Sequence, residues 1–287
     1  MSGGPDLLVP QRVRSRARQE NFPVASRILP REVRSHLYAV YEFARMVDDA
    51  GDEAAGDRAS LLDRIESELE AAARGRADGP VMRRVGATVQ ELGLPLDPFK
   101  RLIEANRRDQ AVGRYEAFDD LLAYCDLSAN PVGHLVLLVF RADTARRRSW
   151  SDAVCTGLQL TEHWQDVAED ARRGRVYLPQ EDLRRFGCPE EDLLELRPSP
   201  AFRRLLAFEV NRARELLRLG LPLASDLGGR AGFAVASFVA GGRAALDAIE
   251  RAGFDVLTGS PRPSRAMQAR TLVKTLAEAL PSRMRAA

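Results

Sequence analysis

Two acidic clusters, more than a hundred residues apart, have the clearest chemistry in this sequence. Each contains two aspartates four positions apart, Asp48 with Asp52 and Asp166 with Asp170. On an α-helix this spacing places both carboxylates on one face, within about 6 Å of each other. Carboxylates at that distance repel each other, and oxygen ligands suit Mg²⁺ that bridges to phosphates. The clusters therefore indicate a metal site that binds a diphosphate. The alternative for either pair alone is a solvated helix surface.

The residues around the clusters favour the metal site. Apolar positions before the first cluster repeat with the helical period, and Asp48 falls on the same stripe as Tyr41 and Ala44. Arg45 lies one turn before Asp48, and the run 172–175 after the second cluster contains three arginines. Arginine can bind phosphate oxygens through two parallel hydrogen bonds, and an inward-facing carboxylate is costly without a partner.

The composition excludes several classes of protein. The chain has 287 residues, 45% of them hydrophobic and 29% charged, as in an ordinary globular protein, and its net charge of +2 argues against a nucleic-acid partner. Cys125, Cys155 and Cys188 are odd in number and lack metal-ligand spacing, so we expect reduced thiols in a cytoplasmic protein. Three scattered histidines argue against a zinc site or a His-based triad.

We expect no stretch to approach the roughly 20 apolar residues that a membrane span requires. The arginine-rich start of the chain lacks the apolar core of a signal peptide. We therefore expect a soluble protein, located in the cytoplasm. The last predicted helix combines basic residues with leucines. Two interpretations are open for it: it lies on the inner face of the cytoplasmic membrane as a peripheral contact, or it packs on the rest of the protein.

Helical periodicity runs through almost the whole chain, with Pro and Gly concentrated between the periodic segments. We expect a single all-α domain of eight to ten helices over 21–287, preceded by an N-terminal extension over 1–20. Pro131 should bend a long apolar helix, either as a packing kink or as an unwound turn that opens space beside a pocket. Gly232, Gly241 and Gly242 indicate close packing or a cavity wall. The expected helices are 31–48, 57–74, 80–92, 97–112, 118–141, 149–171, 200–220, 229–252 and 264–280.

Four segments resemble, in order, the motifs of the squalene/phytoene synthase family. They are 21–30, 41–52, 124–133 and 159–179. Within the family, the runs Ser128-Ala129-Asn130-Pro131-Val132-Gly133 and Trp164-Gln165-Asp166-Val167 most resemble the bacterial hydroxysqualene synthase branch of hopanoid biosynthesis. Members that condense two substrates usually carry Gly near position 130 and Arg at position 165.

The resemblance implies an all-α isoprenoid-synthase bundle around a large central cavity, with Mg²⁺ (or Mn²⁺) as cofactor and without NADPH. The implied metal ligands are Asp48, Asp49, Asp52, Glu162, Asp166 and Asp170. The implied catalytic residues are Tyr41, Arg45, Tyr124, Gln159, Arg175 and Tyr177. The implied substrate-binding residues are Phe22, Arg27, Arg45, Ser128, Asn130 and Arg175.

Glu162 departs from the family pattern, which has Asn four residues before the first aspartate of the second motif. Because 162, 166 and 170 share a helix face, the Glu162 carboxylate could ligate metal while adding negative charge to a site that must accept diphosphate. The alternative is an exposed variant. Candidate aromatic residues for the cavity wall are Phe22, Phe43, Phe233 and Phe238, with ordinary core packing as the alternative for each.

The implied reaction converts presqualene diphosphate to hydroxysqualene with release of diphosphate. One alternative is a condensing squalene or phytoene synthase that joins two prenyl diphosphates head to head. A further alternative is a non-catalytic assembly or scaffold member of the family. The expected partners are the prenyl diphosphate substrate, a membrane surface and other enzymes of the pathway, and the oligomeric state is open.

Overall fold

The computed structural model describes residues 29–52, 54 and 56–279. This part of the chain contains helices and no extended strand, which confirms the all-α prediction. The predicted boundary between the extension and the domain lies outside the described residues. The helices are α1 (Arg31–Asp52), α2 (Arg58–Ala73), α3 (Pro80–Leu92), α4 (Asp97–Asp109), α5 (Phe118–Ser128), α6 (Asn130–Val139), α7 (Ala145–Gln165), α8 (Val167–Arg172), α9 (Gln180–Phe186), α10 (Glu190–Leu194), α11 (Pro200–Gly220), α12 (Pro222–Leu227), α13 (Gly229–Arg251) and α14 (Arg265–Ala279).

Two predicted helices are each divided into two, so the predicted spans 118–141 and 149–171 were wrong. The first breaks at Ala129, between α5 and α6, and Pro131 then lies in the first turn of α6, where its missing N–H costs no hydrogen bond. The second breaks at Asp166 (φ −104°, ψ 15°), between α7 and α8. Three short helices, α9, α10 and α12, were not predicted because each is only five to seven residues long.

The core has two main parts. One lies among α1 to α4, where Phe43 and Phe99 pack edge to face with ring centroids 5.1 Å apart. Phe43 is therefore a core residue. The other part lies among α7, α11 and α13, and it contains the fully buried Trp164 and Phe202. The two halves meet where α1 and α4 end beside the end of α7.

Glycines permit close helix packing on α13. A Cβ on Gly232 would lie 2.2 Å from the Ala224 carbonyl oxygen, and one on Gly242 would lie 2.7 Å from the Leu158 side chain. No larger residue fits either position without a shift of its neighbours. The close-packing alternative is therefore confirmed for these two glycines.

The last helix, α14, packs along α13. Its Thr271 and Thr275 are buried, and Arg243 of α13 binds Glu278 at 2.7 Å. Val273 points away from the bundle and is 69% exposed. Packing on the bundle is therefore confirmed, and an additional contact with a membrane stays a prediction.

Two segments, Phe118–Val139 and Gly229–Arg251, have the length and composition of a membrane span. The expectation that no stretch approaches such a span was therefore wrong. The first segment is interrupted at Ala129, and 67% of the apolar window in the second is buried inside the bundle. Core helices of globular proteins have the same composition.

Candidate active site

The first aspartate cluster lies on the last two turns of α1, where α1 and α4 touch. Asn106 of α4 donates a hydrogen bond from Nδ2 to Asp48 Oδ1 at 3.3 Å, and Arg45 Nη1 lies 3.8 Å from Asp48 Oδ2. Gly51 allows this approach, since a Cβ there would lie 2.1 Å from the Asn106 side-chain oxygen. Desolvation raises the pKa of Asp48 to about 6, and Arg45 and Asn106 offset only part of that rise.

Arg175 joins the two halves of the site. Its Nη1 lies 2.8 Å from Asp52 Oδ1, and its side chain is only 15% exposed. Arg175 follows Asp170 by five residues, so this contact brings the first aspartate cluster beside the second, as the sequence predicted. A half-buried guanidinium between two carboxylate clusters is well placed to bind phosphate oxygens.

Two loops hold aromatic side chains beside Arg175. Val176 N donates to Gly113 O at 2.9 Å, and Gln180 N donates to Tyr115 O at 2.9 Å. These backbone hydrogen bonds fasten the chain after α8 to the chain after α4. As a result, Tyr115 stacks on Tyr177 with ring centroids 5.8 Å apart.

Asp109 lies at the centre of this aromatic group. Tyr124 donates a hydrogen bond from its hydroxyl to Asp109 Oδ2 at 2.6 Å, and Tyr177 donates to Oδ1 at 3.5 Å. Burial raises the pKa of Asp109 to about 6, against the opposing effects of the Tyr124 hydrogen bond and the Arg175 charge. The carboxyl is therefore able to gain or lose a proton near neutral pH.

His163 connects the aromatic group to the second cluster. Its ring stacks on Tyr177 with centroids 3.7 Å apart, and burial lowers the pKa of His163 to about 3, so the ring is neutral. Gln159 donates from Nε2 to His163 Nε2 at 3.2 Å. That pairing requires the proton to be on Nδ1, which faces Asp170 Oδ2 at 4.0 Å.

The second cluster spans the break between α7 and α8. Asp170 N donates to Asp166 O at 2.9 Å, so the two aspartates stay one turn apart although the helix is interrupted. Ser260, from the loop before α14, donates to Asp166 Oδ1 at 3.1 Å. Desolvation and the neighbouring Asp166 raise the pKa of Asp170 to about 7.

The donor set fits a hard divalent cation. All the candidate ligands are carboxylate oxygens, the type that Mg²⁺ prefers. Desolvation by burial is the main cause that raises the pKa values of Asp48 and Asp170, and a bound cation would offset the cost of ionising both carboxyls here. A small pocket opens beside the second cluster, and the large central cavity implied by the resemblance stays a prediction. The pocket is lined by His163, Val167, Asp170, Arg175, Val176, Tyr177, Leu178 and Leu193.

Some predicted site residues lie apart from this centre. Asn130 is buried at the break between α5 and α6, where it donates to Asp126 at 3.0 Å and accepts from Thr156 at 3.1 Å. These bonds fix the break in the helix, which gives Asn130 a structural role. The hydroxyl of Ser128 is buried without a hydrogen-bond partner among the described residues.

The structure places the other predicted residues as follows. Tyr41 is buried on α1, and Asp49 is half-buried beside Asp48. Glu162 is exposed on α7 and accepts the backbone N–H of Asp166, so it stays one turn from that aspartate. Its role as a ligand stays a prediction. Phe22 and Arg27 lie outside the described residues.

Sequence reasoning missed Asp109 and gave no role to Tyr115 or His163. A signal for Asp109 was present: it falls on the apolar stripe of α4, seven residues after Leu102 and three after Asn106, both of which are buried. The same argument identified Asp48 on α1. The contacts of Tyr115 and His163 depend on loops that meet only in the folded chain.

Comparisons with known proteins agree with this geometry. The family model described as squalene/phytoene synthase matches residues 15–268. A hydroxysqualene synthase from Rhodopseudomonas palustris is 37% identical over 73% of this chain and 72% of its own length. Phytoene synthase 3 of Zea mays is 33% identical over 83% of this chain, which spans 58% of that protein.

Solved structures give the same result. A crystal structure of squalene synthase HpnC from Alicyclobacillus acidocaldarius has a TM-score of 0.78 and 42% identity, covering 86% of this chain and 97% of that one. A dehydrosqualene synthase in complex with a ligand shares the fold, with a TM-score of 0.82 at 23% identity and coverage of 93% and 95%. The chain therefore belongs to the squalene/phytoene synthase family of isoprenoid synthases.

Proposed function

We propose that this protein is a Mg²⁺-dependent hydroxysqualene synthase. In this reaction the C–O bond of presqualene diphosphate breaks, the carbocation rearranges, and water adds to it. The products are hydroxysqualene, diphosphate and one proton, and no reductant is consumed. Similarity to hydroxysqualene synthases supports the proposal, while phytoene synthases at comparable identity keep the condensing reaction as the second candidate.

Gln165 is the observation that carries the proposal. Its side chain is buried and donates from Nε2 to Pro261 O at 2.7 Å, so position 165 provides no cation beside Asp166. Condensing members of the family usually carry arginine here. A condensing enzyme must bind two diphosphates, whereas presqualene diphosphate has one, so a site with one cation fewer favours the single-diphosphate substrate.

Arg45 and Arg175 would bind the diphosphate. Arg175 is half-buried between the clusters, and Arg45 lies beside Asp48 on α1, so their guanidinium groups can contact phosphate oxygens from two sides. Mg²⁺, when bound by the aspartates, supplies the charge that neutralises the departing diphosphate. The half-buried setting strengthens these interactions because little water screens them.

The aromatic group would act on the carbocation. Neutral His163 and the stacked Tyr177 add no positive charge that would oppose a cation, and the ring faces stabilise one. When water adds, its proton passes through the Tyr124 hydroxyl to Asp109, whose pKa of about 6 suits a base at neutral pH. Asp109→Asn removes the acceptor and should shift the products from the alcohol to dehydrated hydrocarbons.

The decisive experiment supplies two substrates separately. The purified protein with Mg²⁺ and without NADPH is incubated with presqualene diphosphate or with farnesyl diphosphate, and products are identified by mass spectrometry. We expect hydroxysqualene from the first substrate and no product from the second. Asp170→Asn is the inactive control, and Glu104→Gln, an exposed change on α4, is the active one.

Other outcomes contradict the proposal. Presqualene diphosphate formed from farnesyl diphosphate would identify a condensing enzyme. Phytoene formed from geranylgeranyl diphosphate in a third incubation would do the same. No product from any substrate, with no Mg²⁺ binding, would favour a non-catalytic member, and Glu162→Asn would then test whether the extra carboxylate prevents activity.

We also propose a cytoplasmic location with peripheral contact at the inner face of the membrane. The substrate and product are water-insoluble, and α14 exposes Val273 and Lys274 beside one another. Co-sedimentation with anionic liposomes should fall in the Val273→Glu, Lys274→Glu double variant. Unchanged co-sedimentation would remove α14 from this role.

A further inference from the structure

A second cluster of metal-ligating side chains lies at the opposite end of α1. Glu32 and His36 are one turn apart on the first turns of α1, and Glu91 lies near the end of α3. One ligand atom from each of the three lies within 4.8 Å of the other two. At 1.5 Å per residue along the helix, His36 is about 18 Å from Asp48, so this cluster is separate from the active site.

His36 provides independent evidence for a ligand. The residue is 7% exposed, and its Nε2 atom has no hydrogen-bond partner in the described part of the chain. Nε2 faces Glu91 Oε1 at 3.7 Å. A buried polar atom without a partner is costly, and it is uncommon in folded proteins.

Thr88 orients the imidazole. His36 Nδ1 and the Thr88 hydroxyl oxygen are 3.1 Å apart, so a proton on Nδ1 can be donated to Thr88. That tautomer leaves a lone pair on Nε2, directed towards the two glutamates. A hydrogen bond to the second ring nitrogen is the usual way in which proteins orient a histidine that binds metal.

We propose that Glu32, His36 and Glu91 bind a transition-series divalent cation, with Zn²⁺ as the best match, and thereby fasten the start of α1 to α3. One imidazole nitrogen and two carboxylate oxygens form a three-ligand zinc set with one position left for water. Mg²⁺ prefers oxygen ligands alone, so it should not compete well here. Ligand atoms around tetrahedral zinc are about 3.3 Å apart. The carboxylate oxygens of the exposed glutamates need to move by at most about 1.5 Å to reach that distance.

The test is Zn²⁺ titration by calorimetry with millimolar Mg²⁺ present throughout, so that the aspartate clusters are already occupied. Wild type should bind one equivalent of Zn²⁺, and Glu91→Gln and His36→Gln should each lose it. Glu104→Gln is the matched control, because both glutamate side chains are 56% exposed. With Zn²⁺ at about 100 times its Kd, the wild-type Tm should rise by about 5 °C or more, and the Tm of Glu91→Gln should not.

Co²⁺ provides the second readout, since its visible absorption reports nitrogen ligation. Wild type should show this absorption, and His36→Gln should not. The proposal fails if Glu91→Gln retains the Zn²⁺ equivalent, or if wild type binds no Zn²⁺ tighter than about 100 μM. Glu91 is exposed, so loss of folding would not explain a result from that variant. The outcome is independent of the reaction proposed above.

Discussion

The two aspartate clusters share a spacing but differ in the backbone that carries them. Asp48 and Asp52 lie on an unbroken helix, α1, whose other face is part of the hydrophobic core. Asp166 lies in the junction between α7 and α8, and Asp170 lies on α8. One i→i+4 hydrogen bond across the junction keeps the second pair one turn apart. The same sequence pattern is therefore produced by two different local structures.

The clusters also differ in their charge compensation. The aspartates of the first cluster contact two arginines: Arg45 lies 3.8 Å from Asp48, and Arg175, which lies in the second motif, binds Asp52 at 2.8 Å. Among the described residues, the aspartates of the second cluster contact the Ser260 hydroxyl and the neutral His163, and the charges of Arg173 and Arg175 act on Asp170 from farther away. This difference agrees with the higher pKa of Asp170, and it indicates that the second cluster depends more on a bound cation.

Arg175→Gln should have the largest effect. It removes the guanidinium between the clusters and leaves the buried side of Asp52 without its cation, so kcat/KM should fall by about 10² to 10³. Steady-state kinetics with the substrate found by the product assay measure the loss. Arg218→Gln is the control, because Arg218 is 63% exposed and pairs with Glu215 on α11, and it should stay within about threefold of wild type. Equal losses in both variants would contradict the role of Arg175.

The second-largest expected effect is on the pH dependence of stability, which should differ between the two clusters. The pKa of Asp170 is about 7 in the folded protein, against an ordinary value of 3.8. Between pH 3.8 and pH 7 this carboxyl is therefore protonated in the folded protein and ionised in the unfolded chain. Stability without metal should therefore be highest near pH 4 and fall as the pH rises to about 7, by on the order of 3 kcal/mol from this group.

Asp170→Asn should flatten that fall, and Asp48→Asn should flatten it less, because the folded pKa of Asp48 is only about 6. Thermal unfolding from pH 4.5 to 8 in EDTA measures both. A larger effect from Asp48→Asn would reverse the comparison between the clusters.

Mg²⁺ should restore stability at pH 8, where the carboxyls are ionised. At ten times its Kd the cation contributes about 1.4 kcal/mol, which for a chain of this size raises Tm by about 3 °C. Asp170→Asn should lose more of this increase than Asp48→Asn, since the second cluster has the weaker basic contacts. Differential scanning calorimetry with and without Mg²⁺ measures the difference, and equal losses would show that both clusters hold the cation equally.

Ser260→Ala should have the smallest effect. It removes one hydrogen bond to Asp166, worth about 1 kcal/mol, and leaves the carboxylates in place. We expect an activity loss of about threefold to tenfold and a weaker apparent affinity for Mg²⁺. Ser67→Ala, which removes an exposed hydroxyl bonded within α2, serves as the control and should behave as wild type. A wild-type result for Ser260→Ala would show that the loop before α14 does not position Asp166.

The sequence predicted most of the long helices, because they follow from local periodicity, and the resemblance to the family implied that the two clusters face each other. It did not predict the break at Asp166. The residues on either side have helical propensity. At the break, Gln165 and Asp166 form hydrogen bonds with Pro261 and Ser260, which lie almost a hundred residues away in the sequence.

The roles of Asp109 and His163 were equally hidden. Burial and hydrogen bonds from two tyrosines of different parts of the chain set the pKa of Asp109. The hydrogen bond from Gln159 sets the tautomer of His163, whose ring stacks on Tyr177. Periodicity can place such residues on an inward face. It cannot name the partners that they meet there.

The contact between Asp52 and Arg175 has a consequence for how the chain folds. Seven of the fourteen helices in the described residues lie between these two residues, so their pairing closes a long loop and should form late. The helix that carries Asp48 and Asp52 is synthesised before Arg175. Its two like charges therefore lack this cation until the chain beyond Arg175 has been made. We expect nascent chains that end before this arginine to bury the core among α1 to α4 while lacking the completed site.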